Sequence, residues 1–230
     1  MNIAVILAGG SGSRMRNDTP KQFLEIAGKQ VIQYSIEAFQ NCPLIDEICV
    51  VTRPDYQQAV EELVRRNGYT KVKQILRGGK ERYHSTLSAI NAYPDDDTNL
   101  LFHDAVRPAI TQQAIIDCIN ALKQYNAVCV ATTTTDTIFN INADNCITAI
   151  PNRNTLRNAQ TPQCFKRGVI RRAYEMALQD PDFQTTDDCG TIIRYIPDEP
   201  IFIVEGGHTN IKLTYPEDLI LIKHILASGQ

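Results

Sequence analysis

The sequence predicts a three-layer α/β/α fold on a doubly wound, mostly parallel sheet, with an inserted β-arm. Three observations predict it. Short apolar runs recur as continuous stretches rather than alternating patterns, which points to strands covered on both faces. Segments of helical length and amphipathic spacing lie between them, giving strand–helix–strand alternation. That alternation breaks over 137–161 and then resumes.

Taken in order, Ile3–Leu7, Ile48–Thr52, Val72–Leu76, Leu100–His103 and Val128–Thr132 read as buried strands, with helices expected near 31–41, 56–67, 83–93 and 112–124. Right-handed crossovers place the C-terminal ends of such strands on one edge, where open α/β sheets bind ligands. Within 137–161, Ile138–Ile141 and Cys146–Ile150 read as two short strands around the turn-prone Asn142-Ala143-Asp144-Asn145. A hairpin there projects from the sheet and suits a dimerisation arm or a lid. A helix near 166–179, a strand near 201–205 and a helix near 216–227 complete the chain. The last helix opens on Thr214-Tyr215-Pro216-Glu217-Asp218, with proline in its first turn and acids near its positive end.

A length of 230 residues fits one large domain, 1–230, whose core needs no disulfides. The net charge of −3 excludes a generally basic nucleic-acid binder, so a polyanionic ligand requires a local cationic cluster. The seven cysteines are odd in number and form no CxxC pair, which points to reduced thiols in a cytoplasmic protein without a cysteine metal site. The first ten residues lack the basic start of a secretory signal, and no stretch reaches the roughly 20 apolar residues of a membrane span.

The strongest motif is Leu7-Ala8-Gly9-Gly10-Ser11-Gly12-Ser13-Arg14-Met15, followed by Pro20-Lys21-Gln22-Phe23. A strand that runs into closely spaced glycines brings backbone N–H groups near a phosphate, and Arg14 and Lys21 add two cations beside it. Two familiar loops do not fit. Position 14 is Arg where a Walker A loop counted from Gly9 needs its second glycine, and position 15 is Met where a dinucleotide fingerprint counted from Gly10 needs its third. Thr52-Arg53 also stands where the dinucleotide fold places an acid.

Gly78-Gly79-Lys80-Glu81-Arg82 joins a strand to the helix carrying Ser85, a junction suited to a flat base. Asp104, in His103-Asp104-Ala105-Val106-Arg107-Pro108, falls on the same sheet edge as the glycine loop. A carboxylate facing a polyphosphate needs a divalent cation between them, so Asp104 implies Mg²⁺. Asp136-Thr137, Arg153, Gln160-Thr161-Pro162-Gln163, Thr186-Asp187-Asp188 and Asn210-Ile211-Lys212 are weak signals singly. Together they could surround a second phosphate.

In order, the segments AGGSGSRM, PKQF, GGKER, HDAVRP, DT, QTPQ, TDD and NIKLT resemble the 2-C-methyl-D-erythritol 4-phosphate cytidylyltransferase family, which includes a branch acting on D-ribitol 5-phosphate. The resemblance implies a Rossmann-like domain, CTP as substrate, Mg²⁺, and a homodimer made through the arm. It implies catalytic roles for Arg14 and Lys21, and nucleotide binding by Ala8, Gly9, Gly10, Gly12, Gly79, Ser85, Asp104 and Ala105. Arg107, Thr137, Arg153, Thr186 and Lys212 match positions around the acceptor phosphate, with Thr137 and Arg153 reaching across the dimer. The motifs incline to ribitol 5-phosphate as acceptor, with methylerythritol 4-phosphate as the alternative. Another nucleotidyltransferase, or a nucleotide-binding module without catalysis, is the rival class.

Overall fold

A computed structural model describes residues 1–10 and 19–228. The chain opens with β1 (Asn2–Ala8), a small ribbon of β2 (Glu25–Ile26) and β3 (Lys29–Gln30), and α1 (Val31–Gln40). Then come β4 (Glu47–Thr52), α2 (Gln57–Asn67), β5 (Val72–Arg77), α3 (Arg82–Ala92), β6 (Asn99–Asp104), α4 (Gln112–Ala121) and β7 (Ala127–Thr133). A hairpin of β8 (Asn140–Ile141) and β9 (Ile147–Ala149) precedes β10 (Arg157–Lys166). The chain ends with α5 (Arg167–Ala177), α6 (Asp188–Tyr195), β11 (Ile201–Glu205) and α7 (Asp218–Ala227).

The main sheet has seven strands in the order β11-β7-β10-β6-β1-β4-β5. Neighbouring residues of each strand feed opposite faces. Ile6, Val50 and Leu101 pack under α1, α2 and α4, while Val5, Val51 and Phe102 pack with residues of α3, α5 and α6. Both faces are covered, and the continuous apolar runs are the mark of that double burial. A third cluster, with Ile26, Val31, Val106, Leu213 and Ile222, seats α7 against the loop after β6.

The structure departs from the sequence expectation at three places. The largest is β10, which lies in the middle of the sheet and runs antiparallel to both β6 and β7. Its residues 157–161 were expected in the arm. Gln160, Thr161, Pro162 and Gln163 carry no strand signal, because proline and buried polar groups are rare in central strands. The ladder register shifts between Ala159 and Gln163, so the proline sits at an irregularity that needs no ladder donor from it. Next, α6 was not anticipated, because TTDDCGT carries a glycine in its first turn and little apolar period. The helix forms because Asp187 accepts from Gly190 N–H at 2.8 Å while Gln163 Oε1 accepts from the Asp188 and Cys189 amides at 3.1 and 3.3 Å. Finally, α7 begins at Asp218 rather than near 216, since the Asp218 carboxylate turns back to accept from the Thr214 and Tyr215 amides.

Candidate active site

Parallel strands β1, β4, β5 and β6 end on one edge. The chain leaves β1 toward β4 on one side and returns to β6 on the other, which opens a crevice above β1 and β6. Antiparallel β10 contributes its beginning to the same edge, and so delivers Gln160 and Thr161 beside Asp104. A cleft of about 710 Å³ lies there, within the usual range for small-molecule sites.

The glycine loop enters this cleft at the end of β1. Ala8, Gly9 and Gly10 line it. Gln22 Nε2 pins the loop by donating to the carbonyls of Ala8 at 2.7 Å and Gly10 at 3.1 Å. Gly12 and Arg14 lie outside the described residues. Lys21 lines the cleft although its side chain is almost wholly buried, and its Nζ donates to the Leu213 carbonyl at 2.9 Å.

Gly79 and Ser85 stand opposite. The glycines there have no room to be anything else. A Cβ on Gly79 would come within 2.5 Å of the His84 side chain, and one on Gly78 within 2.6 Å of Ser85 Oγ. The strand–glycine–helix junction is therefore packed tightly enough to present backbone and the Ser85 hydroxyl to a flat ligand.

Asp104 is 8% exposed and closely surrounded by cations. Lys212 Nζ is 2.7 Å from its Oδ2, Arg82 Nε is 3.8 Å from its Oδ1, and Arg107 Nε is 4.0 Å from its Oδ2. Burial alone would raise its pKa, but Arg82, Lys212 and Arg107 override burial and hold the carboxyl well below the usual carboxylate range. Among the described residues, no group of three or more His, Cys, Asp or Glu could hold a metal. The donor set thus offers no resident cage. It fits a divalent cation carried in on phosphate oxygens and touched by one carboxylate.

The QTPQ segment and His103 fix this carboxylate from below. The Asp104 amide donates to Thr161 Oγ1 at 3.1 Å, and Thr161 Oγ1 is 3.1 Å from His103 Nδ1. His103 Nε2 is 3.0 Å from the Arg107 carbonyl, an acceptor only, so the ring proton sits on Nε2 and Nδ1 accepts from Thr161. Burial keeps this imidazole neutral, with its pKa lowered to about 4. Gln160 donates to the Gly207 carbonyl and accepts from Asn210, which fixes the loop preceding Lys212. The QTPQ segment had been grouped with residues that could surround a second phosphate, whereas here it frames Asp104 and the loop before Lys212; no separate role had been given to His103.

The remaining candidates lie elsewhere. Ala105 is fully buried and its amide pairs with the Leu7 carbonyl, so it belongs to the ladder that aligns the site. Arg107 donates to the carbonyls of Asn210 at 2.8 Å and Ala159 at 3.3 Å, bracing the loop beneath Lys212 rather than facing the cleft. Thr137 and Thr186 are exposed. Arg153 is exposed on the arm side, where its Nη1 donates to the Thr135 carbonyl at 2.9 Å. Within one chain, Ala8, Gly9, Gly10, Lys21, Gly79, Ser85, Asp104 and Lys212 converge, whereas Ala105, Arg107, Thr137, Arg153 and Thr186 do not line the cleft.

The family model for 2-C-methyl-D-erythritol 4-phosphate cytidylyltransferase (IspD) matches residues 2–228. The chain belongs to that family. It is therefore a nucleotidyltransferase of the cytidylyl class. A 2-C-methyl-D-erythritol 4-phosphate cytidylyltransferase of Thermobifida fusca is 42% identical over 98% of this chain and 93% of its own length. A bifunctional ribulose 5-phosphate reductase/CDP-ribitol pyrophosphorylase of Haemophilus influenzae is 43% identical over 99% of this chain, which spans 48% of that longer protein. The crystal structure of 4-diphosphocytidyl-2C-methyl-D-erythritol synthase from Anaerococcus prevotii superposes with a TM-score of 0.86 at 31% identity, covering 98% of this chain and 96% of that one. The fold is thus the Rossmann-like α/β architecture of the family. Among the described residues, no helix is long and apolar enough to cross a membrane.

Proposed function

We propose that the enzyme transfers CMP from CTP to 2-C-methyl-D-erythritol 4-phosphate and releases pyrophosphate. The observation that carries the chemistry is the convergence of the glycine loop, Lys21, Lys212 and Asp104 on one cleft. The acceptor rests on relatives. The motifs incline to ribitol 5-phosphate, but the family model and the Thermobifida relative both carry the methylerythritol name. Ribitol 5-phosphate remains the second reading because the Haemophilus relative is equally similar.

In this reading an oxygen of the acceptor phosphate attacks the α-phosphorus, a new P–O bond forms, and the bond to the β-phosphate oxygen breaks as pyrophosphate leaves. The nucleophile is already anionic, so no general base is required. The protein must instead hold two anions together and stabilise charge on the transferring group. Arg14 and Lys21 meet that charge, the loop amides of Ala8, Gly9, Gly10 and Gly12 cradle the phosphates, and Gly79 and Ser85 bound the cytosine side, with buried Ala105 aligning the strand end beneath. Asp104 would hold Mg²⁺, which would supply charge neutralisation of the triphosphate and orientation of the leaving group. Lys212 grips the acceptor phosphate, with Arg107 bracing the loop beneath it.

Thr137 and Arg153 join the site from the arm of a second copy. Neither lines its own cleft, and the arm exposes Ile138, Phe139, Ile141, Ile147 and Ile150. A two-stranded hairpin with that much apolar surface is marginal unless something covers it, and a two-fold partner is the commonest cover. The buried, unpaired cysteines suit a cytoplasmic enzyme.

The test is pyrophosphate release with CTP, offering both acceptors side by side. Turnover with methylerythritol 4-phosphate is expected. Turnover confined to ribitol 5-phosphate would move the assignment to the second reading, and equal turnover with ATP or GTP would show that the base site is misread.

A further inference from the structure

We propose that Arg82 is a further cation gripping the polyphosphate, and that the buried carboxylate of Asp188 is its positioning residue. The inference rests on the nucleotidyl-transfer reading above and assigns work to two residues that reading leaves idle.

Arg82 is the first residue of α3, where the helix's positive end disfavours a cation. Something must outweigh that cost, and Asp188 does. Its side chain is fully buried, and Arg82 Nη1 donates to its Oδ2 at 2.6 Å. Thr86 Oγ1 and Tyr174 Oη donate to its Oδ1 at 2.8 and 2.6 Å. Thr86 stands one turn beyond Arg82 on α3, Tyr174 comes from α5, and Gln163 of β10 accepts from the Asp188 amide. Two helices therefore hold this carboxylate and a strand holds its backbone, and the arginine takes its place from it.

The other side of Arg82 faces the cleft. Its side chain is 28% exposed and lines the same cavity as Lys21 and Asp104. Its Nε lies 3.8 Å from Asp104 Oδ1, beyond hydrogen-bonding distance. Among the described residues no hydrogen bond uses its Nη2. A pair that served only to tie α3 to α6 would work as well with apolar side chains. It would not need to stop short of Asp104 with a donor left open. A guanidinium held rigidly at one nitrogen, with others facing a cleft that already gathers Lys21 and Lys212, is built to receive phosphate oxygens.

The test uses calorimetric binding of CTP and of inorganic triphosphate to the full chain, with thermal unfolding recorded for each variant. Arg82→Gln is expected to weaken both ligands about tenfold or more, the scale of one lost charge-assisted hydrogen bond. Asp188→Asn should weaken them to a similar degree. The double variant, which removes both charges of the buried pair, should bind no worse than Arg82→Gln alone, because positioning is lost only once. If Asp188→Asn does not fold, comparing Arg82→Gln with the double variant still decides the point. Unchanged triphosphate binding in Arg82→Gln overturns the role of Arg82. A further loss in the double variant overturns the role of Asp188, since a merely structural contribution would add. Wild-type protein that binds triphosphate but not CTP would sink the cytidylyl reading while leaving the Arg82 comparison intact.

Discussion

Acidification from about pH 7 to pH 4 is expected to destabilise the fold through one buried group, His103. The ring is fully buried, donates from Nε2 to the Arg107 carbonyl and accepts at Nδ1 from Thr161. Burial lowers its pKa from 6.5 to about 4. The unfolded chain therefore takes up a proton near pH 6.5, while the folded chain resists until about pH 4. In that window the unfolded state binds more protons, so stability is fully present above 6.5 and falls as the pH drops toward 4. The difference between 6.5 and about 4 corresponds to roughly 3 kcal/mol, a substantial part of a typical domain's stability. Asp96, Asp104 and Asp180 act elsewhere. Their pKa values are lowered from 3.8, so what they contribute is present above that value and lost below it. Urea unfolding at a series of pH values reads the effect directly, with a slope approaching about 1.4 kcal/mol per pH unit between the two pKa values. His103→Gln, which can keep a donor and an acceptor, should be less stable near neutrality but lack this slope. A flat wild-type profile, or the same slope in His103→Gln, would refute the reasoning.

Other substitutions test the site more directly. Lys21→Ala should lower kcat by about 100-fold, as loss of a preorganised stabilising group does, and near-normal turnover with a raised KM for CTP would make it a ground-state clamp instead. Thr161→Val leaves the Asp104 amide and His103 Nδ1 without a partner, so stability should fall by about 1–3 kcal/mol in denaturant titrations and turnover should fall with it. Excess chelator should abolish pyrophosphate release, and full activity in its presence would count against the metal assigned to Asp104. Mixing Arg153→Ala with Lys21→Ala chains should restore activity from two weak parents, because one site of a mixed dimer keeps both residues. No recovery in verified mixed dimers would return Arg153 to its own subunit.

What the sequence could reveal depended on whether a residue's surroundings lie nearby in the chain. Strands β1, β4, β6 and β7 were legible because double burial writes an unbroken apolar run, whereas β5, the edge strand expected to be buried, is only half-buried and interrupted by Lys73 and Gln74. The glycine loop, Lys21, Asp104 and Lys212 were legible because they sit at strand ends or in a compact motif. Strand β10 was hidden because Gln160, Thr161 and Gln163 are polar for reasons that exist only after folding: their partners are Gly207, His103 and Asp187. Helix α6 was hidden for the same reason, its amides being capped by a glutamine 25 residues away. Arg82 was given no role of its own beside Glu81 and Lys80, since nothing local announces that Asp188, 106 residues later, will bury one side of it.

The place of β10 has a consequence for dividing the molecule. This interior strand is made after five of the other strands of the main sheet, and β11 alone follows it. A cut at the exposed turn 142–145 would leave one fragment holding β1, β4, β5, β6 and β7 with a gap between β6 and β7. The other fragment would hold the strand that fills the gap and the one that closes the edge beyond β7. Neither half could complete a hydrophobic layer by itself, and each carries what the other lacks. The same strand brings Thr161 to Asp104, so reassembly of the two pieces would restore the site in the same step.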